Sequence, residues 1–396
     1  MRIGKELAVI GVGYTNFGDN FEMSYYDMVI NATYDALEDA GITNDDIQAA
    51  WLSTVFPFAY GFEGNAGTSL SDPVNLFGKP VTRVGACGAG GMEAFRNAAL
   101  AVSSGEYDIV LAVGCEKMRD VKPRESLVVN SLESGHPLLY KGRTAPGMFG
   151  LIAHRYMKTY NYPRDIFAKV AVKNHHNGVL NPKAALQSEV TLEQVLNAPM
   201  IASPLGLMDC APAADGAAAI VITTVENAKK MDRTFSRIDA ISVAVTEGYF
   251  SSQSNQKNDF LGFSSTRIAA RDVYKKTGIN NPVKELDLVE CHDCFTVTEI
   301  INYEDLFLCD PGLGGKMIDD GSTFITGDIP VNPSGGLKSF GHPIGATGVR
   351  MIAEIHNHLH ERAGKRQVEL NNYRGIAHTL GGPGSIAAIV MLSKDV

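Results

Sequence analysis

Two cysteines and two histidines stand in contexts suited to acyl chemistry. Cys87 lies in VGACGAGGMEAFRNAAL, where an apolar strand pattern gives way to a Gly-rich helix start. Peptide dipoles and free N–H groups at such a start favour a thiolate. Glycines 88, 90 and 91 let a substrate approach the backbone closely. His342 lies in NPSGGLKSFGHPIGATG, before a second Gly-rich helix start. That setting welcomes anions, and Pro343 biases His342 toward extended backbone. Between the two, ECHDCF carries His292 and Cys294 at the end of an apolar strand pattern. A thiol and an imidazole so placed make a nucleophile and its base. Each also has a plainer reading, as a small buried cysteine in a turn or a turn histidine holding a structural hydrogen bond.

Other clusters compete with these. Cys291 and Cys294 have C-x-x-C spacing, which suits a redox site or half a zinc site. No second pair with zinc spacing exists in the sequence, so no metal is expected. HNHLH places His356 and His360 one helical turn apart, but its charged neighbours predict a solvated face. His175 and His176 in KNHHNG read as loop polarity.

The elements that must position these residues alternate between strand and helix, which predicts an α/β fold. ELAVIGVGYT, IQAAWLSTV, PVTRVGAC and YDIVLAVG are strands; SYYDMVINATYDALEDAG and GGMEAFRNAALAVSSG are helices stopped by Gly41 and Gly105. The order then repeats through RIDAISVAVTEG, SSTRIAARDVYKKTG, LDLVECH, FTVTEIINYEDLFL, GVRMIAEIHNHLHERAG, YRGIAHTLGG and SIAAIVML. A helix–Gly–Ile–turn–strand unit occurs twice, and so does a Gly-rich start to a buried helix (GAGG and GATG). These echoes predict two similar halves. From about 119 to 205 the pattern loosens into a segment rich in Tyr, Met, His and Pro, of the kind that covers an active site.

Bulk properties narrow the function. The 396 residues suffice for ~2–3 domain-sized units. A net charge of -9 leaves no basic excess for a nucleic-acid surface. No apolar run reaches the ~20 residues needed to span a membrane, and the N-terminus turns polar too early for a signal peptide. Six cysteines without a secretory signal are expected to be reduced, with the cytoplasm as the compartment.

Taken together, VGACGAGG, GCEKM, KNHHNGVLNPKA, DCAPAADGAAA, HDCF and NPSGGLKSFGHPIGATG resemble the thiolases. HDCF with GHPIGATG narrows the resemblance to the sterol-carrier-protein-type branch, including its bacterial and archaeal acyl-CoA thiolases. The resemblance spans nearly the whole chain. It implies two similar halves, each a mixed five-stranded sheet, in a five-layered αβαβα arrangement around two central helices. Residues 1–118 with 206–230 would form the N-terminal half, 119–205 an inserted loop domain, and 231–396 the C-terminal half.

The same resemblance implies a 3-oxoacyl-CoA thiolase working through an acyl group on Cys87, or the reverse condensation. His342 would be the base and Cys294 the acid that protonates the enolate. His292 and His342 would form one oxyanion site; the N–H groups of Cys87 and Gly381 would form the other. Coenzyme A and acyl-CoA would be substrates, with no metal. A homodimer or tetramer is expected, with a small OB-fold and zinc-ribbon partner subunit, and no nucleic acid or membrane. Two departures stand out. Thr379 in TLGGPG occupies the place of a cysteine found in many thiolases. CGAGG stands where relatives commonly have C-A-S-G, which suggests a wider acyl pocket. An acetoacetyl-CoA thiolase, a ketoacyl synthase, an aldolase and a non-catalytic scaffold subunit are the alternatives.

Overall fold

A computed structural model describes residues 4–55, 67–120, 144–246 and 260–395. The first half contains β1 (Leu7–Tyr14), α1 (Tyr25–Ala40), β2 (Ala49–Ser53), α2 (Thr68–Val74), β3 (Val81–Val84), α3 (Gly90–Ser104) and β4 (Val110–Glu116). A helical segment follows, with α4 (Ala145–Tyr160), α5 (Asp165–Val179), α6 (Leu192–Asn197) and the short strands β5 (Met200–Ala202) and β6 (Leu205–Gly206). The chain then returns through β7 (Gly216–Thr224) and α7 (Val225–Lys230). The second half comprises β8 (Ser236–Val245), α8 (Ser264–Thr277), α9 (Pro282–Glu285), β9 (Leu288–Glu290), α10 (Thr296–Asp305), α11 (Gly314–Asp319), α12 (Gly336–Phe340), α13 (Ile344–Leu359), β10 (Arg374–Gly381) and β11 (Ile386–Ser393).

Local signals set the limits of α1. Ser24 and Asp27 form a capping box at its start, and Gly41 ends it at φ 62°. Strands β1, β4 and β7 are buried along their whole length, as expected for a sheet covered on both faces.

The strands run β3-β2-β4-β7-β1-β8-β11-β10-β9. Numbered within each half, the order is 3-2-4-5-1, then 1-5-4-2, so the second half repeats the first in reverse across the sheet. The halves meet where β1 pairs with β8 through Ala8↔Arg237 and Val9↔Ser236. One expectation is corrected here. Among the described residues the second half has four strands in place of five, with a single parallel bridge between Val289 and Val331 beyond β9. Asn332, at φ 54°, turns the chain away directly after that bridge.

Helices α3 and α13 pack against each other and against strands of both halves of the sheet, while α1 packs on β1 and β7 of the first half and α8 on β8 and β11 of the second. The central pair crosses closely because Gly91 has no side chain. A Cβ there would lie 2.9 Å from the Val349 nitrogen and 3.0 Å from the Gly345 oxygen.

This central placement overturns the expected solvated histidines. His356 and His358 are buried, because α13 packs against strands of both halves of the sheet; Asn357 and His360 are partly exposed. The Ser236 hydroxyl lies 2.8 Å from His356 Nδ1 and 3.1 Å from His360 Nε2. His175 and His176 lie on α5 rather than in a loop. His175 is buried, with Nδ1 2.9 Å from the Ser188 oxygen, whereas His176 is exposed beside Glu189.

All six cysteines are free thiols. Among the described residues no helix is long and apolar enough to cross a membrane, and no cluster of His, Cys, Asp or Glu could hold a metal. Residues 121–143 of the expected covering segment lie outside the described residues.

Candidate active site

Cys87 sits between β3 and α3 with φ 48°, a left-handed backbone that few side chains adopt. The turn is closed by Ala89 N–H to the Ala86 oxygen (3.0 Å) and Gly90 N–H to the Cys87 oxygen (2.9 Å). Strain of this kind concentrates at functional sites, where the surrounding packing holds it. The Cys87 side chain is half-buried against Met118 and Ile344.

The glycine after it, Gly88, lines the cavity described below and packs closely against its neighbours. A Cβ on Gly88 would lie 2.4 Å from the Leu380 oxygen and 3.1 Å from His292 Cε1. The missing side chain makes room for protein, and it brings the Cys87 turn close to His292.

His342 precedes α13, and its N–H donates to the Pro212 oxygen at 3.2 Å. Its Nδ1 is 2.8 Å from Thr347 Oγ1, which donates to the Pro343 oxygen at 3.0 Å. A hydroxyl has one proton to give. With that proton on Pro343, Thr347 accepts from His342 Nδ1–H, and Nε2 keeps a free lone pair. Burial, with a contribution from Arg350, lowers the His342 pKa to about 3, so the imidazole is neutral at pH 7.

His292 is buried and faces His342 edge-on, with ring centroids 5.3 Å apart at 87°. Burial, then the neighbouring His342 and His378, hold its pKa well below the usual histidine range. Its backbone N–H points at His378 Nδ1 (3.5 Å), its carbonyl accepts from Asn302 (2.7 Å), and its own Nδ1 has no hydrogen-bond partner among the described residues. Cys294 is half-buried, with Sγ 3.9 Å from Thr298 Oγ1, and burial pushes its pKa upward.

These four side chains line one cavity of about 200 Å³. Its remaining wall is largely apolar and includes Met118, Met148, Phe149, Phe295, Ile344 and Leu380. Phe149 from α4 stacks on Phe295 with centroids 4.7 Å apart. Gly381, the fifth residue expected here, ends β10 opposite Ile386. Leu380 and Gly382 line the cavity and Gly381 does not, although a Cβ on it would lie 2.5 Å from the Ala86 oxygen. Thr379 is buried with no hydrogen-bond partner for its hydroxyl. The Cys291–Cys294 spacing builds no metal site; Cys291 is buried and its N–H donates to Asn332 Oδ1 at 2.8 Å.

Sequence reasoning missed the residues that hold this arrangement. Asn174 Nδ2 reaches Asp293 Oδ2 (2.8 Å) and Glu299 Oε2 (2.6 Å). Lys173 pairs with Glu299 at 2.8 Å and donates to the Val331 oxygen at 2.6 Å. Asn177 and Asn181 donate to the Asn332 and Ser334 oxygens, both at 2.9 Å. Asp293 in turn accepts from the N–H groups of Leu337 (2.6 Å) and Lys338 (3.2 Å), which anchors α12 just before His342. Glu116 accepts from Gly345 N–H at 3.0 Å and so fixes the start of α13. The available signal was Lys173 and Asn177, one turn apart on one face of α5, with Asn181 just beyond its end.

Comparison with known proteins agrees in both halves. Residues 7–226 match the family described as "Thiolase, N-terminal domain", and residues 246–394 match "Thiolase C-terminal domain-like". An acetyl-CoA acetyltransferase of Methanothermobacter thermautotrophicus is 38% identical, with 98% of this chain and 100% of that one covered. Sterol carrier protein 2 of Oryctolagus cuniculus is 33% identical, with 98% of this chain and 71% of that one covered. An Ltp2-ChsH2(DUF35) aldolase shares the fold, with a TM-score of 0.85 at 23% identity over 100% of this chain and 99% of that one.

Proposed function

The chain belongs to the thiolase family of acyltransferases, and on that premise we propose that it cleaves 3-oxoacyl-CoA with coenzyme A through an acyl group on Cys87. The observation that carries this reading is the convergence of Cys87, His292, Cys294 and His342 on one apolar cavity.

His342 Nε2 takes the thiol proton of Cys87, and the thiolate attacks the 3-keto carbon. His292 and His342 stabilise the thioester oxygen as the bond between C2 and C3 breaks, with the electron pair passing into a CoA-ester enolate. Cys294 gives that enolate its proton, and the CoA ester of the C1–C2 fragment leaves. The Cys294 thiolate then takes the proton of an incoming CoA thiol. CoA thiolate attacks the acyl group on Cys87, and the sulfur of Cys87 recovers its proton from His342. Backbone N–H groups beside Cys87 and Gly381 serve the oxyanion of the acyl transfer; losing one such donor typically costs ~10²–10³ in rate. The same groups run the reverse condensation.

The wall of Phe149, Phe295, Met148 and Ile344 supports an acyl group larger than acetyl. A second reading, thiolysis of acetoacetyl-CoA, is supported by the acetyl-CoA acetyltransferase name of the archaeal relative. We place the protein in the cytoplasm as a homodimer or tetramer. A small OB-fold and zinc-ribbon partner belongs to the same reading, and the two-protein title of the aldolase neighbour supports looking for it.

The test is CoA-dependent cleavage of a panel of 3-oxoacyl-CoAs, with Cys87→Ala as control and intact-mass analysis of the enzyme. An acyl adduct on Cys87 is expected, together with faster cleavage of bulky substrates than of acetoacetyl-CoA. The opposite ranking supports the second reading. Carbon–carbon cleavage without any adduct on Cys87 rejects the mechanism and points to aldolase chemistry.

A further inference from the structure

Arg350 is fully buried in the middle of α13. We propose that it is a positioning residue, whose guanidinium holds the segment bearing His292 and Cys294 in place against the segment bearing His342. The inference rests on the reading of His342 as the base.

Three contacts carry it. Arg350 Nη1 donates to Glu290 Oε2 at 2.8 Å, two residues before His292. The same nitrogen donates to Ser334 Oγ at 2.8 Å, in the Gly-rich turn that leads to α12. The guanidinium carbon lies 4.4 Å from the ring centroid of Phe340, two residues before His342. One side chain therefore touches every stretch of chain that delivers an imidazole to the cavity.

Its bonding is unlike that of a purely structural ion pair. A stabilising Arg–carboxylate pair usually engages two nitrogens in a fork. Here both bonds leave from Nη1, while Nε and Nη2 are buried and meet no hydrogen-bond partner among the described residues. Buried donors are normally matched, so the arrangement retains a desolvated charge at a cost in hydrogen bonding. That charge lies behind His342 and adds to burial in disfavouring the imidazolium. The other groups facing His342 are His292, Thr347, and Cys87 and Cys294 across the cavity. Glu116 lies at the start of α13, and Asp293 with Lys338 lies at α12.

Two variants separate positioning from simple stability: Arg350→Lys, and the paired Arg350→Met/Glu290→Gln, which leaves no orphan charge. Each is examined by thermal melting, by kcat and KM, and by NMR titration of ¹⁵N-labelled histidine. A displaced base costs roughly 100-fold in kcat, with KM changed less than about 2-fold in the pattern of lost transition-state binding. The paired variant is expected to move the His342 titration to higher pH, and Arg350→Lys, which keeps the charge, to restore it. Wild-type kcat and an unmoved His342 titration in the paired variant, with only the melting temperature lowered, overturns the proposal. The NMR titration reads Arg350 without turnover. Absence of thiolysis in the wild type therefore counts against the proposed function and leaves the positioning claim to be decided separately.

Discussion

His292 and His342 meet edge to face at 5.3 Å although fifty positions separate them in the chain. Both are held neutral, largely by burial. With His292 neutral, His342 can take a proton on Nε2 and turn from acceptor to donor without the repulsion that a second imidazolium would impose.

The Thr347 hydroxyl selects the His342 tautomer. Thr347→Val keeps the shape and removes the acceptor, so Nδ1–H loses its anchor. We expect kcat to fall about 10–100-fold, on the scale of a lost buried hydrogen bond, while Thr347→Ser stays near wild type. Steady-state kinetics on the two variants checks this, and equal loss in both would reject the tautomer argument.

Cys294 provides the proton for the enolate in the proposed cycle. Cys294→Ala is expected to lower cleavage by ~10²–10⁴, the range for losing a general acid. Exchange of the C2 hydrogens of acetyl-CoA with D₂O, followed by NMR, should fall in step. Retained exchange would assign the acid elsewhere.

Ser236 lies at the junction of the two halves and bridges His356 to His360. Ser236→Ala leaves polar groups unmatched in the interior, at a cost of about 1–3 kcal/mol. Chemical denaturation should show that loss, and kcat should be unchanged because the site lies at the other end of α13.

Acid should destabilise the fold well above the range where carboxylates titrate. Burial lowers His175 and His360 to about 4, and His342, His358 and His378 to about 3, from 6.5. Between those values and 6.5 the unfolded chain binds more protons than the folded one, so stability is complete above pH 6.5 and lost as pH falls. Asp293 and Asp305 act in the opposite sense, since burial holds them above their ordinary value, Asp305 at about 7. Burial also raises Asp239, Glu290 and Glu304, and it lowers His292 and His356, so seven histidines outweigh five carboxylates. The urea midpoint should therefore drop between pH 7 and pH 5; a flat or rising midpoint would contradict the assignment of these histidines as neutral.

Much of the site was legible without coordinates. Cys87, His292, Cys294 and His342 each sit beside glycine, proline or a strand end, and such local signals lie within a few residues of the group they mark. The alternation of strand and helix and the repeated units disclosed two halves for the same reason, because hydrophobic periodicity is a local property.

What only the tertiary structure decided depends on which surfaces meet. HNHLH carries the charge pattern of a solvated helix, yet α13 packs on both halves of the sheet and His356 and His358 are buried. The glycine after Cys87 lines the cavity, and only the fold brings Leu380 and His292 close beside it. Lys173, Asn174, Glu299 and Arg350 look like ordinary polar residues in the sequence, and their partners lie up to 158 positions away. Burial and long-range pairing are properties of the packed chain, and no local pattern encodes them.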